Sequence, residues 1–363
     1  MISRRYVFPY GQHWIDQNDI DCVTSALRGD RITQGSKIDE FEKCLADYCG
    51  VRYAVAVSSG TAALHAVCAV AGVSAGDEVI TTPMTFVATA NAIVYCGGTP
   101  VFADIEKDMP NINPNEIKKK ITARTKAIIP VDFAGHPVDL DAIKAIAKDL
   151  IVIEDASHAL GAEYKGRKVG SLADMTVFSF HPVKHITTGE GGAVLTNSEE
   201  FYNKLIAFRH HGLVEGKMYE LGYNYRITDF QCALGISQMR KLDGFIERRR
   251  EIAAMYNLVF LLMPDITIPV EIDYAKAAYH LYVIQVEDRD KMARAFVSRN
   301  ISVARHYLPV YLHPFYQNTF GYKVGDYPNA DMYYRKAVTL PMFPKMSDED
   351  VNHIIGVVKE VMK

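Results

Sequence analysis

The spacing of apolar residues changes character near residue 51. Before that point apolar positions recur at helical spacing over 17–27 and again over 36–48, where Ile38, Phe41, Leu45 and Tyr48 share one face. Ser36 is placed to cap the second helix and Gly50 to end it. From there on, short runs that are apolar throughout alternate with stretches of helical period. Strands are predicted at 53–58, 78–82, 100–105, 127–133 and 151–155, with helices at 61–71, 85–95, 115–121 and 140–148 between them. A strand without polar alternation is buried on both faces. The pattern therefore predicts an α/β fold: a mostly parallel sheet sandwiched by helices. Ligands of such sheets collect at the carboxyl ends of the strands, which groups 58–61, 83–86, 132–135 and 155–158 on one edge.

A strand-like run at 175–180 then delivers Lys184 into a turn with Gly189, Gly191 and Gly192, and a second strand leaves over 192–196. A helix at 199–210, a polar aromatic loop at 212–226 and a long helical stretch at 228–262 follow. Within that stretch the charge run from Glu247 to Glu251 reads as a solvated helical face. Beyond the break at Met263 and Pro264 the period shifts again, to a strand at 278–286, a helix at 289–299 and a strand at 302–307. A long aromatic loop with Tyr307, Tyr311, Phe315, Tyr316, Phe320 and Tyr322 comes next, and helices at 330–337 and 348–362 close the chain. Two domains are expected: 1–245, a large ligand-binding domain with an N-terminal helical segment, and 246–363, a small α+β domain.

The 363-residue length agrees with two domains. Apolar residues at 49% and charged residues at 23% are average for a soluble globular protein, and the net charge of −3 exerts no pull toward nucleic acid or an anionic membrane. No apolar run approaches the roughly 20 residues that span a bilayer. The opening Met-Ile-Ser-Arg-Arg leads into no apolar segment of a secretion signal, so a cytoplasmic protein is expected. Six scattered cysteines form neither a C-x-x-C pair nor a metal-ligand spacing, and read as small buried hydrophobes of a reducing compartment.

Three features carry candidate chemistry. Lys184, between a buried strand and a glycine turn, would be desolvated, which lowers an amine's pKa and frees it to join a carbonyl. Ser58-Ser-Gly-Thr61 links a strand to a helix, where backbone N–H groups and the helix N-terminus favour an anion, although taken alone an ordinary N-cap is the better explanation. It is no Walker loop. Asp155 of Glu154-Asp155-Ala-Ser-His158 ends a strand, a costly place for a carboxylate without a cationic partner such as a protonated pyridine. Phe86 at the same edge is either core or a stacking surface for a flat ring. A phosphate loop, a strand-end aspartate and a buried lysine together are the anchors of pyridoxal phosphate.

These motifs resemble the fold-type-I, pyridoxal-phosphate-dependent aminotransferases of nucleotide-linked keto sugars, the DegT/DnrJ/EryC/StrS group. The likeness runs from about Ile32 to the C-terminus. FSFHPVKHITTGEGG, GYNYRITDFQCALG, HYLPVYLHPFYQ and GDYPNAD are nearest to the branch that serves pseudaminic acid synthesis. The resemblance implies an amino transfer from L-glutamate to the C4 ketone of a UDP-linked 4-keto-6-deoxy-N-acetylhexosamine, in a homodimer with shared active sites. By the same resemblance Lys184 would hold the cofactor covalently and shuttle protons, Asp155 would pair with the pyridine nitrogen, and Phe86 would stack on the ring. His158 would lie near the ring's phenolic oxygen; Gly60, Thr61 and Ser179 would bind the phosphate, with Asn224 reaching it from the partner subunit. Thr33, in the polar loop 31–35, and Tyr307 would touch the substrate. Some members dehydrate instead and carry histidine in place of the lysine; Lys184 therefore favours transamination. The competing readings are a transaminase for another nucleotide-linked keto sugar, a non-catalytic pyridoxal-phosphate-binding regulator of the same fold, and a different pyridoxal enzyme. A dehydrogenase is disfavoured because no G-x-G-x-x-G follows the first strand.

Overall fold

The computed structural model describes residues 7–363, so the reading of the first five residues as no secretion signal lies outside the described part. Two helices, α1 (Gln17–Leu27) and α2 (Ser36–Cys49), lead in. The strands β1 (Tyr53–Val57), β2 (Glu78–Thr81), β3 (Thr99–Phe102), β4 (Thr125–Ile129), β5 (Ile151–Asp155), β6 (Met175–Ser179) and β7 (Gly192–Thr196) form one seven-stranded sheet in the order β1-β7-β6-β5-β4-β2-β3. All neighbours run parallel except β7, which lies antiparallel to both β1 and β6. The mostly parallel α/β expectation holds. The one reversed strand is the return leg of the turn that carries Lys184.

The register explains why chemistry concentrates at one edge. Val57 and Ser179, the last residues of β1 and β6, both pair with Gly192, the first of β7. Asp155 ends β5 opposite Val177. Three carboxyl ends and one amino end thus meet.

Helices α3 (Gly60–Val70), α4 (Ala88–Tyr95), α5 (Pro114–Lys120), α6 (Leu140–Ala147), α7 (Glu199–Arg209) and α8 (Asp229–Met239) accompany this sheet. Almost all of α3 is buried, through Ala62, Ala63, Leu64, Ala66, Val67 and Cys68, because it packs under the sheet and not at the surface. The smaller unit is built on the antiparallel pair β8 (Tyr282–Gln285) and β9 (Ala337–Leu340), with α10 (Arg289–Ser298) and α13 (Asp348–Val361) against it. No helix among the described residues is long and apolar enough to cross a membrane.

Several expectations are corrected. The stretch 228–262 is two helices, α8 and α9 (Leu242–Phe260), broken at Arg240 and Lys241, where the Lys241 ammonium turns to Asp16 and Asp19 at the start of α1. Leu242 and Ile246 of α9 belong to the core beneath α2, whereas Ile252, Tyr256 and Phe260 belong to the small core, so residue 246 falls within a helix that serves both. The charge run is a solvated face only at its ends, Glu247 and Glu251. Arg249 is fully buried and donates through Nη1 to the carbonyls of Tyr279 (3.2 Å), His280 (3.1 Å) and Met342 (3.1 Å), and Arg250 pairs with Glu271 at 2.7 Å. No strand forms over 302–307, where Ala304 makes a single bridge to Thr339; the strand that pairs with β8 is instead β9. In the aromatic loop, Pro314–Phe320 is a short helix (α11), and the next helix, α12, is Pro328–Lys336.

Candidate active site

β5 and β6 place Asp155 and Ser179 at the sheet edge, and the turn after β6 places Lys184 beside them. Gly60, Thr61, Phe86, Asp155, His158, Ser179, Lys184 and Tyr307 all line one cavity of about 390 Å³. The structure does not bring Thr33 and Asn224 there. Thr33 bridges to Thr228 and Asn224 to His210, beside a second, wider groove lined by Arg31, Gln34, Arg209 and Arg226.

Ser59 caps α3, accepting from the Ala62 N–H at 3.0 Å, so the first-turn amides of Gly60 and Thr61 remain for a ligand in a field that favours anions. Two glycines make this cradle. A Cβ on Gly60 would sit 2.8 Å from Ser179 Cβ, and one on Gly192 would sit 2.6 Å from the carbonyl carbon of Ser59. Backbone, helix N-terminus and the Ser179 hydroxyl can therefore converge at one point.

Asp155 is buried and fixed from both sides. Thr89 Oγ1 donates to Oδ2 at 2.7 Å; the Ser157 hydroxyl (2.6 Å) and N–H (3.2 Å) donate to Oδ1. Held this way, the carboxyl group is fixed in position to face a ring nitrogen.

Lys184 lines the cavity, and burial pulls its amine down to about 7, with the Asp155 charge opposing and the Arg249 charge reinforcing that shift. Much of it is a free base near neutral pH, able to form a covalent bond to an aldehyde. His158 lies beyond it, buried, with Nε2 in a hydrogen bond to the Tyr307 hydroxyl (3.2 Å). Burial, then the Lys184 charge, holds its pKa well below the ordinary value, so the ring is neutral. Its Nδ1 is buried without a partner among the described residues. Phe86, 55% exposed, covers the opening with its ring 5.9 Å from that of Tyr307.

These residues fit pyridoxal phosphate on structural grounds: an amide and hydroxyl cradle for a phosphate, a fixed carboxylate for a pyridinium, a desolvated lysine for an aldehyde, and an orphaned histidine nitrogen for a phenolic oxygen. Sequence reasoning missed Thr89, Ser157, Tyr10, His280 and His306, which also line the cavity. Thr89 and Ser157 had a signal, since a hydroxyl two residues past a strand-end aspartate commonly bonds it, and Thr89 lies one helical turn beyond Thr85. The other three had none beyond residue type.

The sequence profile of the DegT/DnrJ/EryC1/StrS aminotransferase family matches residues 13–359. The chain is 41% identical over 383 aligned residues to the spore coat polysaccharide biosynthesis protein SpsC of Bacillus subtilis, covering 99% of this chain and 98% of that one. It is 40% identical over 361 to a Campylobacter jejuni UDP-4-amino-4,6-dideoxy-N-acetyl-beta-L-altrosamine transaminase, with 95% of each covered. Among solved structures, Helicobacter pylori PseC, described as an aminotransferase involved in the biosynthesis of pseudoaminic acid, superposes with a TM-score of 0.93 at 35% identity, covering 98% of this chain and 99% of that one.

Proposed function

The chain belongs to the DegT/DnrJ/EryC1/StrS aminotransferase family, and from that premise we propose that it transfers an amino group from glutamate to the C4 ketone of a UDP-linked 4-keto-6-deoxy-N-acetylhexosamine, the amination step of pseudaminic acid synthesis. Pyridoxal phosphate is the cofactor of this family. When bound it supplies an electrophilic aldehyde and a conjugated ring that takes up electron density as a Cα–H bond breaks. The single observation that carries the reading is the meeting of Lys184, Asp155 and the Gly60–Ser179 cradle in one cavity.

The chain's own groups supply the remaining work. Gly60, Thr61 and Ser179 hold the phosphate. The Asp155 carboxylate, locked by Thr89 and Ser157, keeps the ring nitrogen protonated, which raises the acidity of the donor's Cα proton. Lys184 Nζ, basic and desolvated, would be the group placed to take up that proton and give it back. Neutral His158, tied to Tyr307, offers a hydrogen bond and adds no charge that would compete with the protonated ring. Phe86 and Tyr307 flank the site, their ring centroids 5.9 Å apart.

We infer a homodimer as well. Asn224 and Thr33 lie outside their own chain's cavity, and the arm at 213–221 exposes Met218, Tyr219 (71%) and Leu221, apolar surface suited to a second copy. The free, half-buried thiols of Cys22, Cys44 and Cys96 suit the reducing cytoplasm. SpsC, at 41% identity, supports a second reading, a transaminase for another nucleotide-linked keto sugar. Incubating the purified protein with glutamate and a panel of UDP- and dTDP-linked 4-keto sugars, with mass detection of the amines, decides. The UDP-linked 4-keto-6-deoxy-N-acetylhexosamine should be turned over fastest; a preference for any other sugar refutes the specific assignment.

A further inference from the structure

Three arginines stand in a row on α9, and the middle one is unlike its neighbours. Arg248 pairs with Glu251 (2.9 Å) and Asp348 (2.7 Å), and Arg250 pairs with Glu271 (2.7 Å). Arg249 is fully buried and has no carboxylate partner among the described residues. Its Nη1 is spent on the carbonyls of Tyr279, His280 and Met342, while Nε and Nη2 are buried with no partner among the described residues. Burial lowers its pKa only to about 10, so the guanidinium stays charged at neutral pH. Anchoring carbonyls does not require a full charge, and a buried cation without a counter-ion is costly. The charge itself therefore calls for a role.

Beside the guanidinium lies a group of bases. His280, whose carbonyl accepts from Arg249, sets its ring 4.3 Å from that of His158 and 5.8 Å from that of His185, centroid to centroid. His185 Nε2 donates to the Ala278 carbonyl at 3.0 Å, and the residue before it is Lys184. Asp155 is the one carboxylate among the described residues that bears on Lys184, His158, His185 or His280. Burial is the first reason the three imidazoles are neutral, and at His185 and His280 the Arg249 and Lys184 charges add to it. An anionic cofactor would raise the pKa of every base around it, and a fixed cation behind those bases opposes that. Arg249 does not line the cavity, so it acts without touching a ligand.

We propose that Arg249 is a positioning residue for the reaction: its uncompensated charge, fastened beside His280 and the lysine turn, keeps Lys184, His185 and His280 unprotonated when the anionic cofactor enters. This rests on the cofactor site and not on which sugar is aminated. The test follows pyridoxal phosphate capture by the apoprotein against pH, read from visible absorbance, in wild type, Arg249→Gln and Tyr256→Phe. Glutamine keeps a donor for the carbonyls and removes the charge. Tyr256→Phe is the stability control, since it removes a buried hydroxyl on the same helix that donates to the Pro341 carbonyl (2.8 Å) and leaves the charge in place. The midpoint of capture should rise by about half a unit to one pH unit in Arg249→Gln, the size of one charge acting at an effective dielectric of about 20, and should not move in Tyr256→Phe. An arginine that only anchors carbonyls would lower the melting temperature and leave the midpoint alone. An unmoved midpoint in Arg249→Gln, or an equal shift in Tyr256→Phe, overturns the proposal. If Arg249→Gln does not fold, Arg249→Met replaces it under the same expectation, because an apolar chain of similar length buries no charge. A wild-type protein that captures no pyridoxal phosphate removes the cofactor site, and the proposal with it.

Discussion

The Lys184 amine works because of what surrounds it. Burial brings its pKa to about 7, below that of a solvated lysine, so the neutral fraction grows as pH rises through neutrality. Capture of pyridoxal phosphate by the apoprotein should therefore speed up about fivefold from pH 6 to pH 7 and level off above pH 8, followed by visible absorbance; a rise deferred to pH 9–10 would mean a solvated lysine. Thr89 gives a second test. It is a hydroxyl that touches only Thr85, the Phe86 carbonyl and Asp155. Thr89→Val should keep the cofactor yet slow the glutamate half-reaction about tenfold or more, since one bond to a charged group is worth about 1.5–3 kcal/mol; stopped-flow absorbance measures it.

Among the elements, β7 matters for its direction. Antiparallel between β1 and β6, it brings Gly192 against the backbone of Ser59, where a Cβ would meet the carbonyl carbon at 2.6 Å. Gly192→Ala should push the cradle open and weaken pyridoxal phosphate binding by about tenfold or more, seen by equilibrium dialysis. β5 gives a further prediction through its alternation: Asp155 faces the cavity, whereas Glu154 faces the other side with Asp132 nearby, and burial lifts both of these carboxyls above their usual range. A carboxyl whose folded pKa is raised contributes stability below its unfolded pKa and loses it as pH climbs through the folded one. Glu154→Gln should thus match wild type near pH 4.5 and gain on it toward pH 8, by about 1–3 kcal/mol, in urea melts at each pH. The core strands were legible in sequence because unbroken apolar runs have a single buried solution, and 151–155 and 192–196 came out residue for residue. The run 302–307 was not, since its alternation served packing against Tyr10 and β9 without any strand partner. Arg249 was misread for a related reason: sequence shows a charge, whereas the carbonyls that accept it come from 30 and 93 residues away.

At the scale of the whole molecule, the candidate site was readable only where residue type and spacing sufficed. Lys184, Asp155 and the Gly60 loop are contiguous motifs, whereas Tyr10, His280 and His306 reach the cavity from segments far apart in the chain. Helix α9 bears on what those distant segments can do. Its first turns sit in the core under α2 and its last turns in the small core, with the Arg249 side chain fastened to the Tyr279, His280 and Met342 carbonyls midway. Neither core can lose its share of that helix and survive alone. The apoprotein should therefore melt in one calorimetric transition, with van't Hoff and measured enthalpies in agreement, and a chain cut at 245/246 should yield two insoluble pieces. Heat, like a protease, would meet a single object.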